Sequence, residues 1–167
     1  MLTRKGVKIS KEEAERELFE RGYGTPAGKT FLLGFHEALY LQDKGILRVE
    51  SSKHKEVSFR ELLKEYESVD ENAWAKYLVY RDLRNRGYVV REGFGKGIDF
   101  RLYERGEYSK DTAKYLVLSV QEGKPMLLGD LVSALKQCQS LKKELVLAAM
   151  NRRGEIVYYF VSQFNVN

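Results

Sequence analysis

One cysteine, two histidines and two prolines are all that the 167 residues hold of those types. A single thiol, Cys138, excludes an intrachain disulfide and any zinc site built from several cysteines. It falls in a helical pattern, where a small buried hydrophobe is expected over a reactive thiol. No stretch approaches the ~20 consecutive apolar residues of a membrane span. The opening MLTRKGVKIS has no apolar core of the signal-peptide kind. A cytoplasmic protein with no membrane partner is therefore expected. Internal repeats and low-complexity linkers are also absent.

What is present is enough for one ordinary domain or two small ones, with a hydrophobic fraction of 43%. Charged residues make up 32% and leave a net charge of +5. A basic excess of this size favours a polyanion through counterion release, and it equally describes a slightly basic soluble surface.

The chain reads as two pieces. Ser10-Lys11-Glu12-Glu13 has the form of a capping box opening a helix through Ala14, Leu18 and Phe19, stopped at Gly22. A breaker-rich loop, Tyr23 to Gly28, precedes a second amphipathic pattern from Phe31 to Leu41. Ile46 to Val49 reads as a short strand, and Ser58 as the cap of a third helix through Phe59, Leu62 and Leu63. Ser68 to Asn72 marks the boundary, giving expected domains at residues 1–69 and 70–167. Beyond it, Trp74, Tyr77, Leu78 and Leu83 make a helix ended at Gly87, followed by a strand at Tyr88 to Arg91. A glycine turn (Gly93, Gly95, Gly97) leads to the alternating strand Ile98 to Tyr103. Tyr115 to Val120 is an apolar strand, and Leu128 to Ser140 a helix with Leu131, Ala134, Leu135 and Cys138 inward. Leu145 to Met150 and Ile156 to Val161 form a hairpin about Asn151-Arg152-Arg153-Gly154. The second half is thus α-β-β-β-α-β-β, a sheet flanked by helices, behind a small, mainly helical piece.

Several phrases match one family in order. Tyr80-Arg81-Asp82-Leu83-Arg84-Asn85-Arg86-Gly87-Tyr88-Val89-Val90 resembles the YxDLRxRGYVV signature of archaeal tRNA-splicing (tRNA-intron) endonucleases. Asp99-Phe100-Arg101-Leu102-Tyr103 resembles their DFRVY strand, Tyr115-Leu116-Val117 the core of HSxYLV, and Ser140 to Leu145 with Ala148 the SVRKxLxxA segment. Tyr158-Tyr159 is similar to their closing strand; Gly22-Tyr23-Gly24 and Glu37 to Leu41 are similar to their amino-terminal domain. The likeness spans nearly the whole chain. It implies an α+β or α/β chain in which the mainly helical domain precedes a restriction-endonuclease-like domain with a mixed sheet flanked by helices.

It also implies a four-subunit assembly that cuts precursor tRNA at a bulge-helix-bulge, without metal or cofactor, leaving a 2′,3′-cyclic phosphate and a 5′-hydroxyl. The family's tyrosine, the base on the 2′-hydroxyl, falls at Tyr103, and its charge-stabilising lysine at Lys143. The family's histidine, the acid for the leaving oxygen, falls three residues before Tyr115, where this chain has Thr112. His36, beside Glu37 in a helical pattern, and His54, in a charged loop, occupy no family catalytic position. The base-clamping arginine of the family, seven residues before the lysine, is replaced by Lys136, a poorer stacking cation. Lys136 and Lys142 are expected RNA contacts. These departures imply the structural subunit of a two-type α2β2 enzyme, partnered by a separate catalytic chain. Subunit docking is expected at Glu155, the one acid of a family-acidic loop, and self-association through the closing strand at Tyr158, Tyr159 and Phe160.

Two other readings stay open at this point. One is an active homo-oligomer with a displaced acid. The other is a metal-dependent nuclease of restriction type, with Asp99 and Glu122 holding Mg²⁺ and Lys124 polarising water in a D…ExK arrangement. The glycine turn lacks the P-loop ending and precedes a strand, which excludes a nucleotide-cradling loop.

Overall fold

Val7 is buried while Lys8 and Ser10 are exposed, the alternation of a strand with one covered face. The computed structural model describes residues 1–10, 15–94, 97–108 and 112–164. It pairs this strand, β2 (Gly6–Ser10), antiparallel with β1 (Leu2–Thr3) and β4 (Thr30–Leu33). With β3 (Thr25–Ala27) the sheet runs β1-β2-β4-β3. The amino-terminal helices are therefore joined by a small sheet that the sequence pattern does not announce.

The expected helix from Phe31 to Leu41 begins later, as α1 (Phe35–Asp43). Phe31 and Leu33 alternate with less buried neighbours and pair with Ile9 and Val7, so this part of the apolar run is strand. Gly34 caps the helix. The Glu37 carboxylate accepts from the Gly34 N–H at 2.9 Å and, through its other oxygen, from the Gly24 N–H at 3.0 Å. One buried acid thus ties a loop to a helix start. The expected strand at Ile46 to Val49 is a bend and irregular chain, paired with no strand among the described residues, since the Ile46 and Leu47 N–H groups both turn back to the Leu41 carbonyl. An isolated bridge follows between Glu50 and Glu56. Of the Ser10–Glu13 capping box, Lys11 to Glu13 lie outside the described residues, and Ser10 ends β2. Glu15–Phe19 forms a π-helical turn that closes at Gly22.

Ser58 caps α2 (Phe59–Val69) as expected: its hydroxyl accepts from the Glu61 N–H at 3.3 Å, and Glu61 accepts from the Ser58 N–H at 2.8 Å. The expected boundary segment is the short break between α2 and α3 (Ala73–Asn85). The chain forms two compact units, Met1–Arg81 and Asp82–Asn167, the division falling within α3. Aromatic contacts fill the first unit, with Phe35 stacked on Tyr66 at 5.3 Å and His36 against Tyr80 at 4.7 Å between ring centroids.

The second unit has the expected α-β-β-β-α-β-β order. After α3, stopped at Gly87 (φ 93°), come β5 (Val89–Glu92), β6 (Phe100–Tyr103), β7 (Tyr115–Gln121), α4 (Leu128–Ser140), β8 (Glu144–Met150) and β9 (Ile156–Val161). The sheet order is β5-β6-β7-β8-β9; β7 and β8 are parallel and every other pair is antiparallel. In the β5–β6 turn Gly95 and Lys96 lie outside the described residues. Gly93 is required there, because a Cβ would collide with the Ile98 carbonyl oxygen. The fold is a mixed α+β, two-part architecture, and no described helix is long and apolar enough to cross a membrane.

Helix α4 closes one face of this sheet. Ala134 and Cys138 pack with Ile98, Leu116, Leu118 and Leu145, and Leu131 and Leu135 border them. Cys138 is fully buried, and burial pushes its thiol up, which removes the thiolate that reactivity needs. Leu116 lies in the middle strand and is 1% exposed. Leu116→Ala is expected to cost ~2–5 kcal/mol through lost transfer energy and an unfilled cavity. Urea unfolding of the intact chain checks this; a loss below ~1 kcal/mol would show that the core re-collapses around the gap.

Candidate active site

Three strands end together at one edge of the larger sheet. The register pairs Leu102 with Tyr115 and Tyr115 with Glu144, so one row crosses β6, β7 and β8. The next residues outward are Tyr103 at the end of β6, Lys114 before β7 and Lys143 before β8. Chain direction thus gathers residues far apart in sequence.

Lys143 is aimed by the end of α4. The Lys143 N–H donates to the Cys138 carbonyl at 2.9 Å, and the Lys142 N–H to the Gln139 carbonyl at 3.0 Å. Those two bonds define a Schellman closure, and its left-handed residue is Lys142, with φ 54°, where glycine is usual. The Glu144 N–H then donates to the Lys114 carbonyl at 3.2 Å and starts the parallel ladder. So held, the Lys143 ammonium donates to the Thr112 hydroxyl oxygen at 2.6 Å. The lysine is half-buried and the threonine exposed.

Tyr103 is also half-buried. Its ring meets the Tyr108 ring edge-to-face at 5.1 Å, and the Arg91 guanidinium lies 6.0 Å from the Tyr108 centroid. Tyr108 and Arg91 carry no motif, and sequence reasoning passes over both. Nearby, the Glu104 carboxylate accepts from Lys114 at 3.5 Å and from the Tyr115 hydroxyl at 3.2 Å. The Lys114 ammonium is held above its ordinary value by its hydrogen bond with Tyr115 first and by the Glu104 charge next.

The other singled-out residues lie elsewhere. Lys136 is exposed on α4, and Lys142 is exposed at its end. Glu155 sits in the β8–β9 turn, where it accepts from the Asn151 side-chain amide at 2.6 Å. Tyr158 is anchored inward: its hydroxyl donates to Asp82 at 2.7 Å, Arg86 holds the same oxygen at 2.8 Å, and burial followed by Asp82 raises the phenol. Tyr159 and Phe160 are exposed on β9, the outermost strand of the sheet. Both histidines belong to the amino-terminal unit, His36 buried among aromatic rings and His54 exposed 3.6 Å from Glu50. Asp99 accepts from the Ser119 N–H at 2.7 Å and Glu122 from the Arg152 N–H at 3.2 Å. Among the described residues, no group of three His, Cys, Asp or Glu could hold a metal.

The edge therefore presents a phenol (Tyr103), two primary ammonium groups (Lys114 and Lys143) and an aliphatic hydroxyl (Thr112). It offers cations for a charged oxygen, and its threonine hydroxyl is too weak an acid to transfer a proton near neutral pH. A family model described as the tRNA intron endonuclease catalytic C-terminal domain matches residues 73–158, and one for the N-terminal domain matches residues 2–63. The chain belongs to the tRNA intron endonuclease family. It is 37% identical over 153 residues to the tRNA-splicing endonuclease of Methanococcus vannielii, covering 92% of this chain and 86% of that protein. The tRNA-splicing endonuclease of Pyrococcus furiosus is 35% identical over 156 residues, covering 93% and 89%. That of Methanococcoides burtonii is 34% identical over 157 residues, covering 93% of this chain and 44% of the longer protein. The family match runs through Tyr103, Thr112, Lys114 and Lys143.

Because Lys142 holds a left-handed conformation that costs a side-chain-bearing residue ~1–2 kcal/mol, Lys142→Gly is expected to stabilise the chain. Offset by the added freedom of the unfolded chain, the gain should be about 0.5–1 kcal/mol in thermal unfolding. A destabilised variant would mean that the lysine side chain contributes more here than its backbone costs.

Proposed function

We propose that this chain is the structural subunit of a two-type tRNA-splicing endonuclease acting on precursor tRNA, with a separate catalytic chain in an α2β2 assembly. The observation that carries this reading is the Thr112 hydroxyl hydrogen-bonded to Lys143 at 2.6 Å, in the place where the family chemistry needs an acid.

Splicing cleavage of this kind forms a bond between the ribose 2′-oxygen and phosphorus and breaks the bond to the 5′-oxygen, giving a 2′,3′-cyclic phosphate and a 5′-hydroxyl. Attack within one nucleotide supplies proximity, which leaves proton transfer and charge stabilisation to the protein. Tyr103 stands at the family's base position. Lys143 stands where negative charge gathers on the phosphoryl oxygens. The departing 5′-oxygen must gain a proton, and the Thr112 hydroxyl is too weak an acid to supply it near neutral pH. General acid catalysis is typically worth ~10²–10⁴-fold, so a site built from these three residues falls short by about that factor.

In this reading Lys136 and Lys142 contact RNA, and residues 1–69 and 70–167 act as its two domains. The β8–β9 turn docks on the catalytic chain. Glu155 braces that turn through Asn151, and Arg152 and Arg153 give it a basic tip. The exposed Tyr159 and Phe160, on a strand with one paired side, support self-association there.

The test is cleavage of a bulge-helix-bulge RNA by the purified chain, alone and mixed with a catalytic subunit. The lone chain should be inactive and the mixture active. Thr112→His should raise cleavage by the lone chain ~10²-fold or more, and adding Tyr103→Phe should remove the gain. Efficient cleavage by the unaltered chain would overturn the structural assignment. Separately, Phe160→Glu is expected to convert a self-associated species to monomer in light scattering. An unchanged mass would place self-association away from β9.

A further inference from the structure

The amino-terminal unit carries a cationic pocket outside the edge described above. On β2, Lys8 and Ser10 lie on the exposed face of the small sheet, and the register sets Ser10 opposite Thr30 of β4. The covered face of the same strands holds Val7, Phe31 and Leu33, all fully buried, so the open face cannot turn inward. Beside it stands the tight hairpin at residues 50–56. The Leu2 N–H donates to the Glu50 carbonyl at 2.8 Å and fastens the hairpin to the sheet. Within the hairpin, the Ser51 N–H donates to the Lys55 carbonyl at 2.8 Å and the His54 N–H to the Ser51 carbonyl at 3.0 Å. His54 takes a left-handed conformation, φ 56°, which a residue bearing a side chain adopts at a cost.

Sheet and hairpin enclose an open cavity of about 420 Å³. Its lining includes Lys8, Arg48 and His54, with hydroxyls from Ser10, Thr30 and Ser51. Glu50 is the acid in that lining, and it lies 3.6 Å from His54 Nδ1, which pairs with it when the ring is protonated. Lys8 and Arg48 make no ion pair among the described residues.

We infer that this pocket binds a phosphate group. A guanidinium and an ammonium supply charge-assisted donors for a tetrahedral anion, and the Ser51 hydroxyl, which accepts from the Lys55 N–H at 3.2 Å, can donate to a further oxygen, whereas the Thr30 hydroxyl already donates to the Ala27 carbonyl at 3.0 Å. Two cations suit a doubly charged phosphate better than a singly charged carboxylate. The phosphate can come from an RNA backbone or from a free nucleotide. The first fits the proposed function, on which it rests, and it would give the amino-terminal unit its own hold on the precursor RNA.

The experiment titrates the full chain, followed by backbone amide NMR, with inorganic phosphate, with uridine 5′-monophosphate and with a short single-stranded RNA. Lys8→Gln, Arg48→Gln and the double variant are run alongside; both side chains are exposed, so folding is preserved and is verified by thermal melting. Saturable shifts at Lys8, Arg48, Ser51 and His54 are expected with all three ligands. If RNA is the source, the double variant should bind RNA about tenfold more weakly, and the slope of log affinity against log salt should flatten by about 0.7 for each cation removed. If phosphate and nucleotide saturate the site while RNA affinity is the same in all variants, the pocket takes free phosphate compounds. If no ligand gives saturable shifts there, the inference is overturned. Cleavage is not read in these titrations. Efficient cleavage by the unaltered chain would therefore sink the subunit assignment and leave the pocket result standing.

Discussion

Parallel pairing of β7 with β8 is the constraint on which the carboxy-terminal unit depends. Two parallel neighbours cannot be joined by a tight turn, so the chain must cross over, and α4 is that crossover. The crossover lays Ala134 and Cys138 on Leu116, Leu118 and Leu145 and so closes one face of the sheet. It also returns the chain to the same edge from which β7 starts. Residue 112, just before one strand, and residue 143, just before the other, are therefore neighbours although 31 positions separate them. The lysine–threonine contact follows from topology before it follows from chemistry.

The carboxy-terminal unit was largely legible because its signals are local. Leu128 to Ser140 has a clean helical period with breakers (Gly123, Pro125) ahead of it, and α4 spans those same residues. The hairpin about Asn151 to Gly154 is bracketed by alternating apolar runs, and β8 and β9 follow them closely. The amino-terminal sheet was hidden for the opposite reason. Its strands are only two to five residues long, and β2 finds its partner β4 across an interval that contains the π-helical turn and β3. Phe31-Leu32-Leu33 satisfies both a helical and a strand pattern, and only the pairing with Val7 and Ile9 decides between them.

At the candidate site the residue types were readable and their contacts were not. Tyr103, Thr112 and Lys143 come from matching phrases, since phrases preserve order. Nothing in the string Ser140 to Lys143 announces a left-handed Lys142, because the usual glycine is missing. Likewise, Tyr108 against Tyr103 and Arg91 over Tyr108 depend on the register of β5 and β6 and on the path of the following loop. Chemistry at the edge turns on one substitution. The Lys143 ammonium is there, and the side chain it meets, Thr112, is a hydroxyl that accepts its hydrogen bond; under the proposed function that contact stands where a proton donor would be needed.

The Schellman joint between α4 and β8 leaves no slack. Lys142 and Lys143 are bound to helix carbonyls on one side, and Glu144 is bound to the β7 approach on the other. Side chains along a strand alternate between faces, so one inserted or deleted residue between Leu141 and Glu144 would swing position 143 to the opposite surface of the sheet. The presence of an ammonium at this edge therefore depends on the length of the joint more than on its composition.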